Sequence, residues 1–172
     1  PSFTGAGLNL TVPHVTRFEE ILNAVRQVWA SLYTERAFSW RQAVMDRPED
    51  VYMSVLLMQS IPVEKSGVMV VADIETGDPN YLTVAANYGI GGVVSNQAAE
   101  TLRITRSDGT VRLYSSAAAH HKTVLAPQGG IQKVPLKTRD RVLSEVELVK
   151  LHHFAKQLPK RYPRIRNAEG DT

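Results

Sequence analysis

A series of short apolar runs between two helical patterns is the feature that most constrains this fold. Turn-forming residues separate the runs at 61–62, 65–67 and 76–79. Each run is strand-length and rich in Val, Met, Leu or Tyr. Because strands and helices do not alternate strictly, a doubly wound parallel sheet is disfavoured. The order predicts an α+β domain with a mostly antiparallel sheet flanked by helices.

The first helical pattern begins near Phe18 and continues to about Met45. Thr16 and Glu19 have the spacing of a capping box, and Pro48 lies just beyond the end. We predict one helix whose aromatic side chains lie in the core. Its apolar residues recur at three- and four-residue spacing: Phe18, Ile21, Leu22, Val25, Val28, Trp29 and Leu32.

The runs that follow are predicted to be strands. Asp108-Gly109 between two alternating runs is a strong hairpin signal. A short helical turn is expected at 96–101, and a short strand at 8–12 after an initial loop. The other predicted strands are 51–61, 67–74, 81–88, 102–106, 111–115, 121–125 and 131–136.

The second helical pattern begins at Ser144, which forms a capping box with Glu147. Its apolar stripe reaches Leu158, and we expect Pro159 to end the helix. An irregular basic tail is predicted over 159–172. The length of 172 residues favours a single domain over 1–172.

Composition excludes several classes of function. The chain has no cysteine, which removes disulfide frameworks, thiol nucleophiles and cysteine-based zinc sites. No apolar run is long enough to span a membrane, and no signal peptide is visible. We therefore expect a cytoplasmic protein without a membrane partner.

The net charge of +3 comes largely from the last part of the chain. A solvated helix end and tail is favoured over a nucleic-acid contact, because Tyr162 alone supplies an aromatic ring for base stacking in this run. A phosphate or nucleic-acid contact stays open as an alternative. The basic residues are Lys156, Lys160, Arg161, Arg164 and Arg166.

Carboxylate and histidine pairs give little support for a catalytic or metal site. Asp73 and Glu75 would share one face of a strand and could hold a divalent cation, but a solvated strand end is favoured. The adjacent histidines at 120–121 and 152–153 point apart on regular elements. No catalytic residue and no metal ligand is assigned in this chain.

A glycine-rich loop, Tyr88-Gly89-Ile90-Gly91-Gly92, follows a predicted strand. Glycine lets backbone amides approach an anion closely. The loop lacks the Gly-Lys-Ser/Thr ending of a Walker loop, and it is not a full Gly-x-Gly-x-x-Gly. A plain tight turn and a phosphate-binding loop are therefore both open.

The order of five segments resembles the phosphoenolpyruvate synthase and pyruvate phosphate dikinase family. The resemblance is good over about residues 1–105. The segments are a Ser-Phe-Thr-Gly loop at 2–5, an aromatic and Arg-Ala helix signature at 28–41, Ser-Gly-Val-Met at 66–69, Glu-Thr-Gly at 75–77 and Gly-Ile-Gly at 89–91.

This resemblance implies an ATP-grasp fold that binds ATP and Mg²⁺ in the intact parent protein. The family passes a phosphoryl group to a histidine on another domain of the same chain, and from there to pyruvate, giving phosphoenolpyruvate. The chain would be an internal fragment of an incomplete domain, inactive by itself because the cationic and acidic groups of phosphoryl transfer should lie outside it.

The resemblance also implies which residues contact the nucleotide. A hinge strand at 55–61 would present its backbone to the adenine edge, and the 2–5 loop would cover the phosphates with amides. The implied contacts are Gly5, Leu56, Met58, Gln59, Ser60, Gly89, Gly91 and Glu100.

The sequence departs from the family pattern at three places. Gly92 stands where the family has Glu, Leu56 stands where it has Gln, and the nucleotide loop is about one residue shorter near Leu8-Asn9. These departures favour a second hypothesis, in which the chain is a degenerate ATP-grasp module with a regulatory or interaction role.

Overall fold

The computed structural model describes residues 8–93, 98–137 and 140–162. Contacts divide the chain into two compact units. The first contains 1–62 and 125–132, and the second contains 63–124 and 133–172. The single domain over 1–172 stays a prediction.

The first unit contains two helices where the sequence predicts one. Helix α1 spans Phe18–Ala30, a 3₁₀ turn spans Ser31–Tyr33, and helix α2 spans Glu35–Val44. The Ser31 hydroxyl donates to the Val28 carbonyl over 2.7 Å, and the Thr34 hydroxyl donates to the Ser31 carbonyl over 2.9 Å. Such side-chain bonds compete with regular helix geometry, and Thr34 adopts an extended conformation that ends the turn.

The start of α1 also differs from the prediction. Arg17 is the N-cap residue and no side chain caps the helix, so the capping box of Thr16 and Glu19 is wrong. The Thr16 hydroxyl instead lies 3.5 Å from the carbonyl oxygen of Gln128. This side chain is directed to a loop distant in sequence and not to the amides of its own helix.

Most aromatic side chains of this unit are exposed, so their predicted place in the core is wrong, although Trp40 is half-buried. Trp29 is 53% exposed and Tyr33 is 75% exposed. The break at Ser31 interrupts the apolar stripe, which can stay on one face only while the helix continues. The buried residues of α1, the 3₁₀ turn and α2 are small or polar: Ala24, Ser31, Ala37 and Arg41.

The segment after α2 is largely irregular. A 3₁₀ turn spans Pro48–Asp50, and residues 51–63 form neither helix nor strand. The strands predicted at 8–12 and 51–61 are therefore wrong. Within the described ranges, no backbone hydrogen bond joins 51–63 to another element, because no neighbouring strand lies beside it to pair with.

The second unit is built on a four-stranded antiparallel sheet, in the order β1-β2-β3-β4. The prediction of a mostly antiparallel α+β fold is confirmed. Gly67 allows close pairing of β1 with β2, since a Cβ there would collide with the carbonyl oxygen of Ala85. The strands are β1 Lys65–Val70, β2 Tyr81–Tyr88, β3 Glu100–Thr105 and β4 Val111–Ser115.

Helix α3, Glu145–Arg161, covers one face of this sheet. Its capping box is confirmed: the Ser144 hydroxyl accepts from the Glu147 amide, and the Glu147 carboxylate accepts from the Ser144 amide. The helix continues through Pro159, so the predicted end there is wrong; a proline in the last turn removes only one late backbone bond. The core comprises Leu82, Val84, Ala86, Leu102, Ile104, Val142, Leu143, Leu148 and Ala155.

A two-stranded sheet pairs β5, His121–Leu125, with β6, Ile131–Pro135, as predicted. Of the helical turn expected at 96–101, residues 96 and 97 lie outside the described residues, and 100–101 begin β3. The tail after residue 162 also lies outside them and stays a prediction. Among the described helices, none is long and apolar enough to cross a membrane.

Candidate nucleotide site

The predicted hinge residues line a cavity of about 570 Å³ within the first unit. Leu56, Met58, Gln59 and Ser60 form one wall of this cavity. The segment Asn9–Val12 and the α1 residues Ile21, Ala24, Val25 and Val28 form the others. The structure thus brings the hinge together with the residues that follow the predicted nucleotide loop.

The hinge backbone is available for recognition. Leu56 and Met58 are largely exposed, and the amides and carbonyls of 56–60 make no hydrogen bond within the described part of the chain. Extended backbone with unpaired donors and acceptors can pair with the edge of a planar heterocycle. Gly5, the remaining predicted contact at this end of the chain, lies outside the described residues.

Gly89 and Gly91 belong to the second unit, and both have left-handed backbone angles, with φ of 78° and 65°. A side chain at Gly89 would collide with the Thr123 carbonyl oxygen. Glycine is required there both by the positive φ and by this close approach. The two positive φ angles fit both the tight turn and the phosphate-binding loop that the sequence leaves open, and contact with a nucleotide stays a prediction.

The amides of this loop already donate to protein acceptors. Gly89 donates to the Glu64 carbonyl over 2.7 Å, Ile90 to the Thr123 carbonyl over 2.8 Å, and Gly91 to the Ser66 hydroxyl over 3.1 Å. Three successive amides are thereby fixed to β1, its preceding residue and β5. The loop has a defined shape, but these three N–H groups are engaged.

Glu100 is only 1% exposed, and each oxygen of its carboxylate accepts a hydrogen bond from a backbone amide. Oε2 accepts from the Val142 amide over 3.1 Å, and Oε1 accepts from the Leu143 amide over 3.0 Å. Arg141 Nε lies 4.0 Å from the same carboxylate. The geometry gives Glu100 a structural task, connecting β3 to the chain that enters α3, and its nucleotide contact stays a prediction.

Asp73 is buried, in contrast to the solvated strand end that the sequence predicts. It follows β1 and accepts from the amides of Thr76 and Glu75, each over 3.0 Å. Arg103 lies 3.4 Å away and stacks on the ring of Tyr81. The Thr76 amide, with the Glu75 amide and Arg103, lowers the pKa of Asp73 below its usual value. The carboxylate shapes the 73–78 turn and is not open to a cation.

Lys65 and Glu147 form an ion pair that the sequence does not reveal, with a 2.7 Å distance between Nζ and Oε2. It lies at the rim of a second cavity, of about 350 Å³, between β1 and α3. The Lys65 ammonium, together with the Ser144 amide and hydroxyl, lowers the pKa of Glu147 to about 2. The two residues are 82 positions apart, so only the packing of α3 on the sheet joins them.

Metal-binding groups do not cluster in the described ranges, where no three His, Asp or Glu side chains lie together as a site. His152 Nε2 lies 2.8 Å from the Arg106 carbonyl, and His153 Nε2 lies 2.7 Å from Gln157 Nε2. These rings have protein partners. No described residue is therefore assigned to a resident metal.

The fold and motifs define an α+β, ATP-grasp-like nucleotide-binding domain. The family described as "Pyruvate phosphate dikinase, AMP/ATP-binding domain" matches residues 1–169, and the chain belongs to it. The resemblance found in the sequence motifs is confirmed, and with it the assignment to an ATP-binding domain.

Several curated proteins are similar to this chain. Rifampicin phosphotransferase of a Streptomyces species is 30% identical over 154 residues, 88% of this chain and 18% of that protein. A probable phosphoenolpyruvate synthase of Methanothermobacter thermautotrophicus is 26% identical, over 94% of this chain and 24% of that protein. A prodigiosin synthesizing transferase of Serratia marcescens is 29% identical, over 88% of this chain and 17% of that protein. The chain thus spans about a fifth of the length of these relatives.

Proposed function

We propose that this chain binds ATP, with the adenine in the cavity of the first unit. The backbone of Met58, Gln59 and Ser60 would pair with the adenine edge, and the Leu56 side chain would lie beside it. The observation that carries this proposal is the cavity of about 570 Å³ that joins these residues to α1. Its volume lies in the range of about 300–1,000 Å³ typical of ligand pockets.

Gly5, Gly89, Gly91 and Glu100 are the further nucleotide contacts in this proposal. Gly5 would bring backbone amides to the phosphates, and Gly89 and Gly91 would let the backbone approach the ligand closely. Glu100 would act through the backbone that it holds. Mg²⁺ would enter with the nucleotide, because it binds through phosphate oxygens and water more readily than in an all-protein cage.

The protein that contains this chain is proposed to be a cytoplasmic, ATP-dependent phosphotransferase. The phosphoryl group would pass to a histidine on another domain of the same polypeptide, and then to pyruvate to give phosphoenolpyruvate. The relatives share the matched region although their names indicate different products and substrates. This supports a common nucleotide-binding role here, and the chain alone is expected to be inactive.

A cavity-filling variant tests the adenine site. Val25→Trp places a large ring in the cavity, and we expect the dissociation constant for Mg·ATP to rise at least about tenfold through steric exclusion. Isothermal titration of the whole protein measures it. Glu20→Trp is the matched control, since Glu20 is exposed on the same helix and does not line the cavity. Equal affinity in the two variants would remove the cavity from the proposal.

A regulatory or interaction module is the second candidate function. The engaged amides of Gly89 and Gly91 and the amide-bonded carboxylate of Glu100 favour it, because these groups have protein partners without a nucleotide. Saturable Mg·ATP binding together with pyruvate-dependent turnover by the whole protein would exclude this alternative. Absence of both would support it over phosphoryl transfer.

A further inference from the structure

The glycine loop is fixed by two kinds of acceptor. Gly89 and Ile90 donate to the main-chain carbonyls of Glu64 and Thr123, while Gly91 donates to the side chain of Ser66. The two carbonyl anchors belong to the backbone and are retained in nearly any substitution. Ser66 is the anchor whose bonds depend on residue identity.

The Ser66 hydroxyl bridges the loop across its two left-handed glycines. It donates to the Gly89 carbonyl over 2.6 Å and accepts from the Gly91 amide over 3.1 Å. One oxygen atom thus ties both ends of the Gly89-Ile90-Gly91 turn to strand β1. Glycine has many accessible backbone states, so an external tie reduces the number that the loop populates.

Thr83 offers a close structural parallel on the same sheet. Its hydroxyl donates to the Ala72 carbonyl over 3.1 Å and accepts from the Ile74 amide over 3.0 Å. It therefore anchors the turn after β1 through the same two kinds of hydrogen bond. Ser66 and Thr83 differ in which turn they hold: Ser66 holds the glycine loop, and Thr83 holds the turn after β1.

We propose that Ser66 is a positioning residue for nucleotide binding, which acts by holding the Gly89–Gly91 loop in its binding-competent shape. This inference rests on the proposed ATP-binding function of the chain. When a ligand binds only one conformation of a loop, its apparent affinity is proportional to the fraction of molecules that have this conformation. Ser66 itself need not touch the nucleotide.

The test compares Ser66→Ala, Ser66→Thr and Thr83→Val in the whole protein. We expect Ser66→Ala to weaken Mg·ATP binding severalfold, up to the limit of about tenfold that corresponds to losing hydrogen bonds worth about 1.4 kcal/mol. Ser66→Thr keeps a hydroxyl and should restore affinity. Thr83→Val loses the equivalent pair of bonds at another turn, so it should bind Mg·ATP as the unaltered protein does, even where unfolding by urea shows similar destabilisation.

Two outcomes would overturn the inference while the unaltered protein binds Mg·ATP: unchanged affinity in Ser66→Ala, or an equal loss in Thr83→Val. Absence of Mg·ATP binding in the unaltered protein would instead remove the proposed function. In that case, hydrogen exchange of the Ile90 and Gly91 amides tests whether Ser66 restrains the glycine loop. Faster exchange in Ser66→Ala than in Thr83→Val supports it, and equal rates contradict it.

Discussion

The two units of the chain bury different kinds of residue. Among its described residues, the second unit has a core of nine buried apolar residues between its sheet and α3. The described helical part of the first unit buries two alanines, Ser31 and Arg41, while several of its large apolar side chains, such as Phe18, Trp29 and Tyr33, are exposed. Both regions have strong apolar periodicity in the sequence, so periodicity alone does not decide which residues are buried.

The two units also differ in how their buried charged side chains are hydrogen-bonded. Glu100 in the second unit has both oxygens paired with backbone amides. Arg41 in the first unit has Nε and Nη1 buried without a hydrogen-bond partner among the described residues, with the rings of Phe38 and Tyr33 about 6 Å away. A satisfied buried charge connects elements, whereas an unsatisfied one destabilises its surroundings. The second unit should therefore account for most of the stability of the chain.

The largest expected effect comes from removing the same side chain in each unit. Leu102→Ala opens a cavity at a fully buried position and should lower the free energy of unfolding by about 2–5 kcal/mol. Leu22→Ala, at a position 46% exposed on α1, should cost less than about 1 kcal/mol. Urea unfolding followed by circular dichroism measures both. Similar decreases in the free energy of unfolding would show that the cores of the two units contribute comparably to stability.

The buried charges give the next largest effect. Glu100→Ala leaves two buried amides without acceptors, and we expect it to lower the free energy of unfolding by roughly 2–4 kcal/mol. Glu100→Gln keeps one acceptor oxygen and should lower the free energy of unfolding by less. Arg41→Met removes a guanidinium whose Nε and Nη1 have no hydrogen-bond partner in the described part of the chain, and it should be neutral or stabilising. A large destabilisation by Arg41→Met in urea unfolding would show that this guanidinium does have a stabilising partner.

The smallest effect concerns pH and the Lys65–Glu147 pair. The pKa of Glu147 is lowered from 4.5 to about 2, so the unfolded chain binds more protons between these values. Stability from this group is present above about pH 4.5 and is lost as pH falls through about 2. Glu147→Gln keeps a capping residue without the charge, and we expect its unfolding midpoint to change less than that of the unaltered chain across this window.

An exposed pair in the first unit provides the control for this pH dependence. Arg47 and Asp50 form an ion pair near the surface, whose side chains are 74% and 45% exposed. Exposed pairs contribute about 0–1 kcal/mol, so Asp50→Asn should leave the acid unfolding curve nearly unchanged. A larger effect of Asp50→Asn than of Glu147→Gln would contradict the contrast between the units.

The sequence by itself determined the elements whose signals are local. The Asp108-Gly109 turn, the strands β2, β4 and β5 and the capping box at Ser144 are predicted correctly, because each depends on residues within a few positions. The order of short motifs also determined the family, to which the whole of 1–169 is matched. The predicted hinge residues line the first cavity, and their contact with a nucleotide stays a prediction.

Only the tertiary structure decided the rest, because those features depend on partners distant in sequence. Ser31 accepts from the Leu10 amide, 21 residues earlier, which helps to fix the break that one continuous helix would not have. Glu100 meets the amides of Val142 and Leu143 through packing of α3 on the sheet. No local pattern contains these distances. The hydroxyl of Ser66 likewise bonds to Gly91, 25 residues further along the chain, and this contact exists only because the tertiary structure brings the two residues together.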